Sequence, residues 1–232
     1  MKKTVIYMAT RNLYHNMVKA ARSCAAIGGV DEIILLIEDD QLDFCLPEIC
    51  RTVNISAQPW IDRNGPNTHK RWTWMVLMKA AITKILPECD QVLLLDCDTI
   101  VEHDLGELWD LNMWGCYFAA VKQHEEHGDG RDGAFMPGDY YNAGVLMCNL
   151  AMLRAHGMDD YLIQALNTRS WDFNEQDAIN KFCAGRIREL PGRWNVSDYT
   201  VEDSACYIRH FAAKPELFAE WSRKYNYEEE DD

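Results

Sequence analysis

The sequence lacks any apolar run long enough to cross a membrane or to act as a secretory signal. Near its start, Lys2 and Lys3 are followed by only five apolar residues in a row, residues 5–9, whereas a membrane helix needs about 20. Cys-x-x-Cys pairs are missing as well, and the nine cysteines are an odd number. We therefore expect a cytoplasmic chain without a membrane span, whose cysteines are reduced thiols.

Positive charge is also scarce. The 23 lysines and arginines face 37 aspartates and glutamates, which gives a formal net charge of −14. Such a surface argues against nucleic acids and anionic membranes as partners. An anionic substrate would need a metal ion or a local cationic group. Residues 222–232 end in five consecutive acids and predict a disordered tail behind a single domain of residues 1–221.

The hydrophobic pattern predicts an α/β fold. Apolar runs that are rich in β-branched residues alternate with segments whose apolar residues recur every three or four positions, as in a doubly wound, mostly parallel sheet. The predicted strands are residues 4–9, 33–37, 53–56, 92–95, 117–121 and 141–148, with short strands near Ile187 and Tyr207. The predicted helices are residues 13–27, 75–85, 104–111 (opened by a capping box of Asp104 and Glu107), 151–166 and 175–184.

Asp96 and Asp98 form the most informative motif. They follow directly on the apolar strand candidate and are the only two aspartates in the chain that stand two positions apart. In an open α/β sheet, ligands bind beyond the carboxyl ends of strands, and in an extended segment both side chains point to the same side. A divalent cation such as Mg²⁺ or Mn²⁺ would relieve their repulsion. The alternative is a solvated turn.

Four further segments carry candidate chemistry, each with a structural alternative. Tyr14, after the first strand, either stacks on a nucleobase or packs at a helix start. Gly144 marks either a close approach of backbone or of a ligand, or a bulge. The polar run of residues 172–177 is either a site or a capped helix start. His210 is either a third metal ligand or a structural histidine.

Two other features remain open. His124 and His127 are three positions apart, unlike the zinc-protease pattern, but residues 124–138 still allow a metal site in a loop. Trp114 and Trp171 are candidates for helping to define an acceptor.

Several segments together resemble glycosyltransferase family 8, the family of glycogenin and of bacterial lipopolysaccharide galactosyl- and glucosyltransferases. The matching segments are Leu94-Leu95-Asp96-Cys97-Asp98, Tyr141-Asn142-Ala143-Gly144-Val145, Glu175-Gln176-Asp177-Ala178-Ile179-Asn180 and His210-Phe211 followed by Lys214-Pro215. The resemblance implies a GT-A type, Rossmann-like domain with a mixed, mostly parallel sheet flanked by helices.

The resemblance also implies roles for individual residues. Metal ligands would be Asp96, Asp98 and His210. The donor would be bound by Met8, Ala9, Thr10, Arg11, Tyr14, Lys79, Asp96, Cys97 and Lys214, with Asp96 reaching the ribose and Lys214 the diphosphate. The catalytic surroundings of the donor sugar would be Asn142, Asp172, Glu175 and Gln176. The chain departs from the family in Glu175, which is usually aspartate, in a shorter stretch before Lys214 without its usual glycine, and in Glu216 in place of tryptophan.

These observations lead to one expected function and two alternatives. We expect a retaining hexosyltransferase that moves galactose or glucose from a UDP-sugar to a carbohydrate or glycoconjugate acceptor, with Mn²⁺ or Mg²⁺ as cofactor. One alternative is a non-catalytic sugar-nucleotide binding protein, which the departures favour. The other is a nucleotidyltransferase, against which stands the lack of a glycine-rich phosphate loop after the first strand.

Overall fold

A computed structural model describes residues 2–124 and 139–226 of the chain. Its centre is a seven-stranded sheet with a separate two-stranded ribbon. The nine strands are β1 (Thr4–Met8), β2 (Glu32–Ile37), β3 (Cys50–Asn54), β4 (Gln91–Leu95), β5 (Thr99–Val101), β6 (Phe118–Val121), β7 (Val145–Asn149), β8 (Ile187–Leu190) and β9 (Ile208–His210).

The sheet is mostly parallel and has the order β3-β2-β1-β4-β7-β6-β8. β7 runs antiparallel to its two neighbours, β4 and β6, and every other pairing in this sheet is parallel. The strand order reverses between β1 and β4, so the residues after these two strands meet at a topological switch point, where ligands bind in such sheets. The predicted α/β class is therefore confirmed.

Helices cover both faces of the sheet. They are α1 (Tyr14–Ile27), α2 (Ile82–Ile85), α3 (Leu150–His156), α4 (Met158–Thr168), α5 (Asn174–Phe182) and α6 (Pro215–Trp221), with 3₁₀ helices at Arg11–Leu13, Trp74–Ala81, Gly106–Leu108, Gly192–Trp194 and Arg223–Tyr225. Side chains alternate along β1, so Val5 and Tyr7 join a core with α1 and α6, whereas Ile6 and Met8 join one with α2 to α5. No helix in the described parts of the chain is both long and apolar enough to span a bilayer.

Several predicted elements differ from those observed. The segment predicted as a helix from Met75 is mainly a 3₁₀ helix, in which every third residue lies in line; Met75, Met78 and Ala81 are accordingly all fully buried. The single helix predicted for residues 151–166 is two helices, because Gly157 adopts a left-handed conformation between them (φ 63°).

Other boundaries move for local reasons. The third strand begins earlier than predicted, at Cys50, and the strand predicted from residue 141 begins only at Val145. The predicted capping box does not form, since the Asp104 carboxylate accepts a hydrogen bond from the backbone of Gly106 instead. The predicted start of the tail at residue 222 is too early, because Tyr225 is buried. The rest of the predicted tail lies outside the described residues.

Candidate active site

Three side chains that could hold a metal ion meet beyond the carboxyl end of β4. His210 Nε2 lies 3.3 Å from Asp98 Oδ1 and 3.8 Å from Asp96 Oδ2. One potential ligand atom from each residue lies within 4.8 Å of the other two. The ribbon of β5 and β9 accounts for this meeting, since it pairs Thr99 directly with His210, and the backbone N–H of Phe211 donates to the carbonyl of Asp98.

The chemistry of this donor set suits a divalent cation. Carboxylate oxygens favour Mg²⁺ and Mn²⁺, and an imidazole nitrogen is accepted by Mn²⁺. Burial acts to lower the pKa of His210, but the charges of Asp98 and Asp96 outweigh it and leave that pKa raised. Burial acts to raise the pKa of Asp98, and attraction to His210 outweighs it, so that pKa is lowered. The three residues therefore fit the predicted metal.

Gly144 allows the imidazole to approach the backbone. A Cβ atom at this position would lie 2.1 Å from Cε1, 2.5 Å from Nδ1 and 2.9 Å from Nε2 of His210. Distances this short are far inside normal non-bonded contact. The glycine therefore does allow a close approach, but the approaching group is the side chain of His210, whereas the sequence predicts backbone or a ligand.

Lys79 connects the metal cluster to α5. Its ammonium group is buried and lies 2.7 Å from Asp96 Oδ1 and 3.0 Å from Glu175 Oε1, and it donates to the carbonyl of Ala143 at 2.9 Å. Burial would lower the pKa of Lys79, but the two carboxylates outweigh it and raise the pKa above its usual value. All three N–H donors of Lys79 are used in these contacts, and one of them holds the carboxylate of Asp96 in place.

Gln176 and Asn142 are tied to the same short segment. The Gln176 carbonyl oxygen accepts the backbone N–H of Ala143 at 2.8 Å, and its amide donates to the Tyr140 hydroxyl at 3.0 Å. Asn142 Oδ1 accepts the backbone N–H of Gly144 at 2.9 Å. Because β7 runs antiparallel to β4, this segment lies beside the carboxyl end of β4.

The residues after β1 form a second group, around Glu38 and Asp39. Arg11 makes a close ion pair with Asp39 at 2.6 Å. The Tyr14 hydroxyl donates to Asp39 at 3.0 Å and accepts the backbone N–H of Glu38 at 2.7 Å. The ring of Tyr14 is buried among core residues, so it packs at the helix start, the alternative to base stacking. Burial is the largest of the effects that raise the pKa of the Tyr14 hydroxyl to about 12.

A cavity of about 550 Å³ opens beside this second group. Its walls come from the ends of β1 and β2 and from the segment before the 3₁₀ helix of Trp74–Ala81. The lining residues are Thr10, Asn12, Glu38, Arg63, Thr68, His69, Lys70, Arg71, Trp72, Thr73 and Trp74. Met8 and Ala9, at the end of β1, are buried, and Cys97 lies partly buried between the two aspartates.

Two further predicted site residues are exposed. Asp172 is exposed. Lys214 is also exposed and forms an ion pair with Asp198. The residue before it, Ala213, has a left-handed backbone (φ 59°), the conformation that favours glycine.

Some expectations about aromatic residues and loops are not supported. Trp171 is buried in the core and donates to the carbonyl of Ala165. Trp114 is 89% exposed and precedes β6, whose amino end lies at the edge of the sheet far from Asp96. A role of either tryptophan toward an acceptor stays a prediction. Except for His124, the residues of the alternative metal loop, 125–138, lie outside the described part of the chain.

Sequence reasoning missed Asn195. This residue is fully buried and its amide contacts both Asn142 and His210. It follows the 3₁₀ helix of Gly192–Trp194 and precedes Val196, whose carbonyl accepts the backbone N–H of His210. No spacing in the sequence indicates this contact, because it depends on a loop packing beside β9.

Comparison with known proteins identifies the family. The glycosyl transferase family 8 model matches residues 32–217, so the chain belongs to this family and the resemblance seen in the sequence is confirmed. The galactosyltransferase LgtC, solved in complex with donor and acceptor sugar analogues, has a TM-score of 0.65 and 20% identity over 94% of this chain and 95% of its own. The glycosyltransferase GlyE of Streptococcus pneumoniae has a TM-score of 0.69 and 19% identity, over 96% of this chain and 60% of its own.

A curated relative covers a smaller region. General stress protein A of Bacillus subtilis is 28% identical over 116 residues, which are 48% of this chain and 41% of that protein. The chain likewise covers 46% of WbbM, a bifunctional glycosyltransferase, with a TM-score of 0.70 and 17% identity over 91% of this chain. The match therefore spans less than half the length of these two proteins, whereas the GT-A fold is shared with LgtC over nearly its whole length.

Proposed function

We propose that the chain is a retaining hexosyltransferase that transfers galactose or glucose from a UDP-sugar to a hydroxyl group of a carbohydrate or glycoconjugate. Its cofactor would be Mn²⁺ or Mg²⁺. The observation that carries this proposal is the meeting of Asp96, Asp98 and His210 at the switch point of the sheet, in a chain that belongs to a glycosyltransferase family.

Asp96 and Lys79 have different roles near the proposed diphosphate site. Asp96 turns Oδ1 to Lys79 and Oδ2 toward His210, which leaves Oδ2 for the metal. A divalent cation bound there supplies Lewis-acid neutralisation of the charge that develops on the leaving diphosphate. Lys79 offsets the charge of the carboxylates, which addresses the difficulty of binding an anion to a protein of net charge −14.

We propose that the cavity beside β1 receives the nucleoside. Thr10 and Asn12 line it at the end of β1, and the half-buried Trp72 offers aromatic surface, whereas Trp74 is buried. Arg63 adds a cation there, and stacks 3.8 Å from the ring centre of Trp74. Aromatic stacking on a base is worth about 1–3 kcal/mol, so Trp72 is the candidate for the role that the buried Tyr14 does not offer.

Retention is proposed to proceed by front-face attack, with the leaving phosphate accepting the proton of the acceptor hydroxyl. The Gln176 carbonyl oxygen is occupied by the N–H of Ala143, and an amide is a poor nucleophile. Glu175 is buried against Lys79. We expect mass spectrometry of enzyme incubated with donor to find no sugar adduct on Gln176 or Glu175, and such an adduct would refute this mechanism.

The function is tested by UDP release from UDP-galactose and UDP-glucose with Mn²⁺ and a panel of sugar acceptors. We expect release that stops in chelator and falls about a hundredfold or more in Asp98→Asn, the scale of losing a key electrostatic stabiliser. Asp90→Asn is the matched control, because this carboxylate lies at the amino end of β4 and pairs with Arg154 at the surface. Full activity of Asp98→Asn in chelator would refute the metal assignment.

The same experiment separates the two alternatives. UDP-sugar binding without UDP release, across the acceptor panel, would indicate a binding protein that lacks catalysis. Pyrophosphate formation from a nucleoside triphosphate would indicate a nucleotidyltransferase. The cytoplasmic location stays a prediction from the sequence, which fluorescence microscopy of a tagged chain tests directly.

A further inference from the structure

The orientation of the His210 ring is set by a buried amide. His210 Nδ1 lies 3.0 Å from Oδ1 of Asn195, and both residues are buried. The backbone keeps them adjacent, since the N–H of His210 donates to the carbonyl of Val196 at 2.9 Å, and the N–H of Val196 donates to the carbonyl of Ile208 at 2.9 Å. Asn195 is therefore held beside the ring by main-chain bonds as well as by its side chain.

The direction of each hydrogen bond follows from one backbone N–H. The Gly144 N–H donates to the side chain of Asn142 at 2.9 Å, and because an N–H only donates, the accepting atom must be the amide oxygen. Asn195 contacts this same oxygen at 2.8 Å, so Asn195 must present its NH₂ group there. The other side-chain atom of Asn195, which faces His210, is then its carbonyl oxygen.

This oxygen decides where the ring proton lies. A carbonyl oxygen accepts and cannot donate, so Nδ1 of His210 must carry the hydrogen. In the neutral ring the lone pair is then on Nε2, the atom that faces Asp98 at 3.3 Å and Asp96 at 3.8 Å. The opposite tautomer would place two lone pairs against each other at Asn195 and a hydrogen where a metal bond is needed.

We propose that Asn195 is a positioning residue of the metal centre, which fixes the ring tautomer and orientation that let His210 bind the ion. The proposal rests on the metal-dependent function proposed above. The hydrogen bonds from Asn195 also lead to Asp96. Asn142 and Gly144, which they reach, belong to a short segment whose backbone carbonyls bind Asp96 and Lys79. Gly144 accepts the backbone N–H of Asp96 at 2.9 Å, and Ala143 accepts Lys79. One short segment thus orients both the imidazole and the carboxylate.

The test compares Asn195→Ala with Asn195→Asp. Long-range ¹⁵N NMR of histidine-labelled, metal-free protein, at a pH where the ring is neutral, reads the tautomer, and His210→Gln assigns the signal. We expect the proton on Nδ1 in the wild type and a shift toward Nε2 in Asn195→Ala. Mn²⁺ titration followed by electron paramagnetic resonance should show about 10–100-fold weaker binding in Asn195→Ala. Asn195→Asp retains an acceptor toward Nδ1 of His210 and should retain the Nδ1 tautomer, although it loses the N–H donor to Asn142.

A control separates positioning of the metal ligand from the general loss of a hydrogen-bonded amide. The side chain of Asn149 also donates to the carbonyl of Met113 and accepts the backbone N–H of Met152, at the amino end of β4 and therefore away from Asp96. Asn149→Ala should leave Mn²⁺ affinity unchanged. Two results would overturn the proposal: an unchanged tautomer and affinity in Asn195→Ala, or the same shift of tautomer in Asn195→Asp as in Asn195→Ala. A wild type that binds no Mn²⁺ would instead overturn the proposed metal dependence, while the tautomer would still decide the Asn195 contact.

Discussion

Replacing Gly144 by alanine should disable the metal site by displacing one ligand. The added Cβ would lie 2.1 Å from Cε1 of His210, whereas non-bonded carbon atoms approach to about 3.5 Å. The ring must therefore retreat by roughly 1.4 Å, the difference between these two distances. Metal–ligand distances tolerate changes of only about 0.2 Å, so Nε2 cannot keep its bond while Asp96 and Asp98 hold the ion.

The expected loss in Mn²⁺ affinity is about a hundredfold or more, equivalent to about 2.8 kcal/mol. Electron paramagnetic resonance of free Mn²⁺ measures the affinity, and circular dichroism checks the fold. Gly106→Ala is the control, because its Cβ would meet only the ends of the Asp104 and Lys3 side chains, the nearest at 2.8 Å. If Gly144→Ala fails to fold, adding His210→Ala should restore folding by removing the clash. Wild-type affinity in a folded Gly144→Ala protein would refute the reasoning.

Three other predictions address the charges and the backbone of the site. The pKa of His210 is raised, so a proton must leave the ring before Nε2 can bind a metal ion. The affinity for Mn²⁺ should therefore fall about tenfold per pH unit below that pKa and level off above it. Titrations with Mn²⁺ at stepped pH measure this, and an affinity that does not change with pH would contradict it. Lys79→Met should lower the free energy of unfolding in urea by about 3–5 kcal/mol, since it leaves the buried Glu175 carboxylate unpaired, and adding Glu175→Gln should recover part of the loss. Ala213→Gly should raise the free energy of unfolding by about 0.5–1 kcal/mol, because relief of left-handed strain of about 1–2 kcal/mol exceeds the gain in unfolded-chain entropy; a destabilised variant would contradict it.

The sequence predicts well those features that depend on local pattern. The position of Asp96 and Asp98 after a buried strand follows from the apolar run that ends there, and the switch point of an α/β sheet then indicates a ligand site. The family match adds His210, which no local pattern connects to the aspartates, because its partner strand β5 is only three residues long and lies far earlier in the chain.

Other features depend on packing that sequence does not encode locally. Tyr14 stands where a nucleotide site is expected, but its ring is buried and its hydroxyl bonds to the backbone of Glu38. The choice between base stacking and core packing is made by the neighbouring strand, not by the residue type. Asn195 illustrates the same point, since its role depends on contacts with Asn142 and His210 that lie on two separate segments.

The candidate metal ligands are held by two parts of the fold that differ in stability. Asp96 follows a strand flanked on both sides within the seven-stranded sheet, whereas His210 ends a strand of three residues paired with only one neighbour in the ribbon. Local opening is easiest where cooperative reinforcement is weakest, so fraying of the ribbon would release the imidazole while the main sheet stays folded. Binding of an ion would then be linked to closure of the ribbon in one equilibrium, and a bound ion would join the end of β9 to the main sheet.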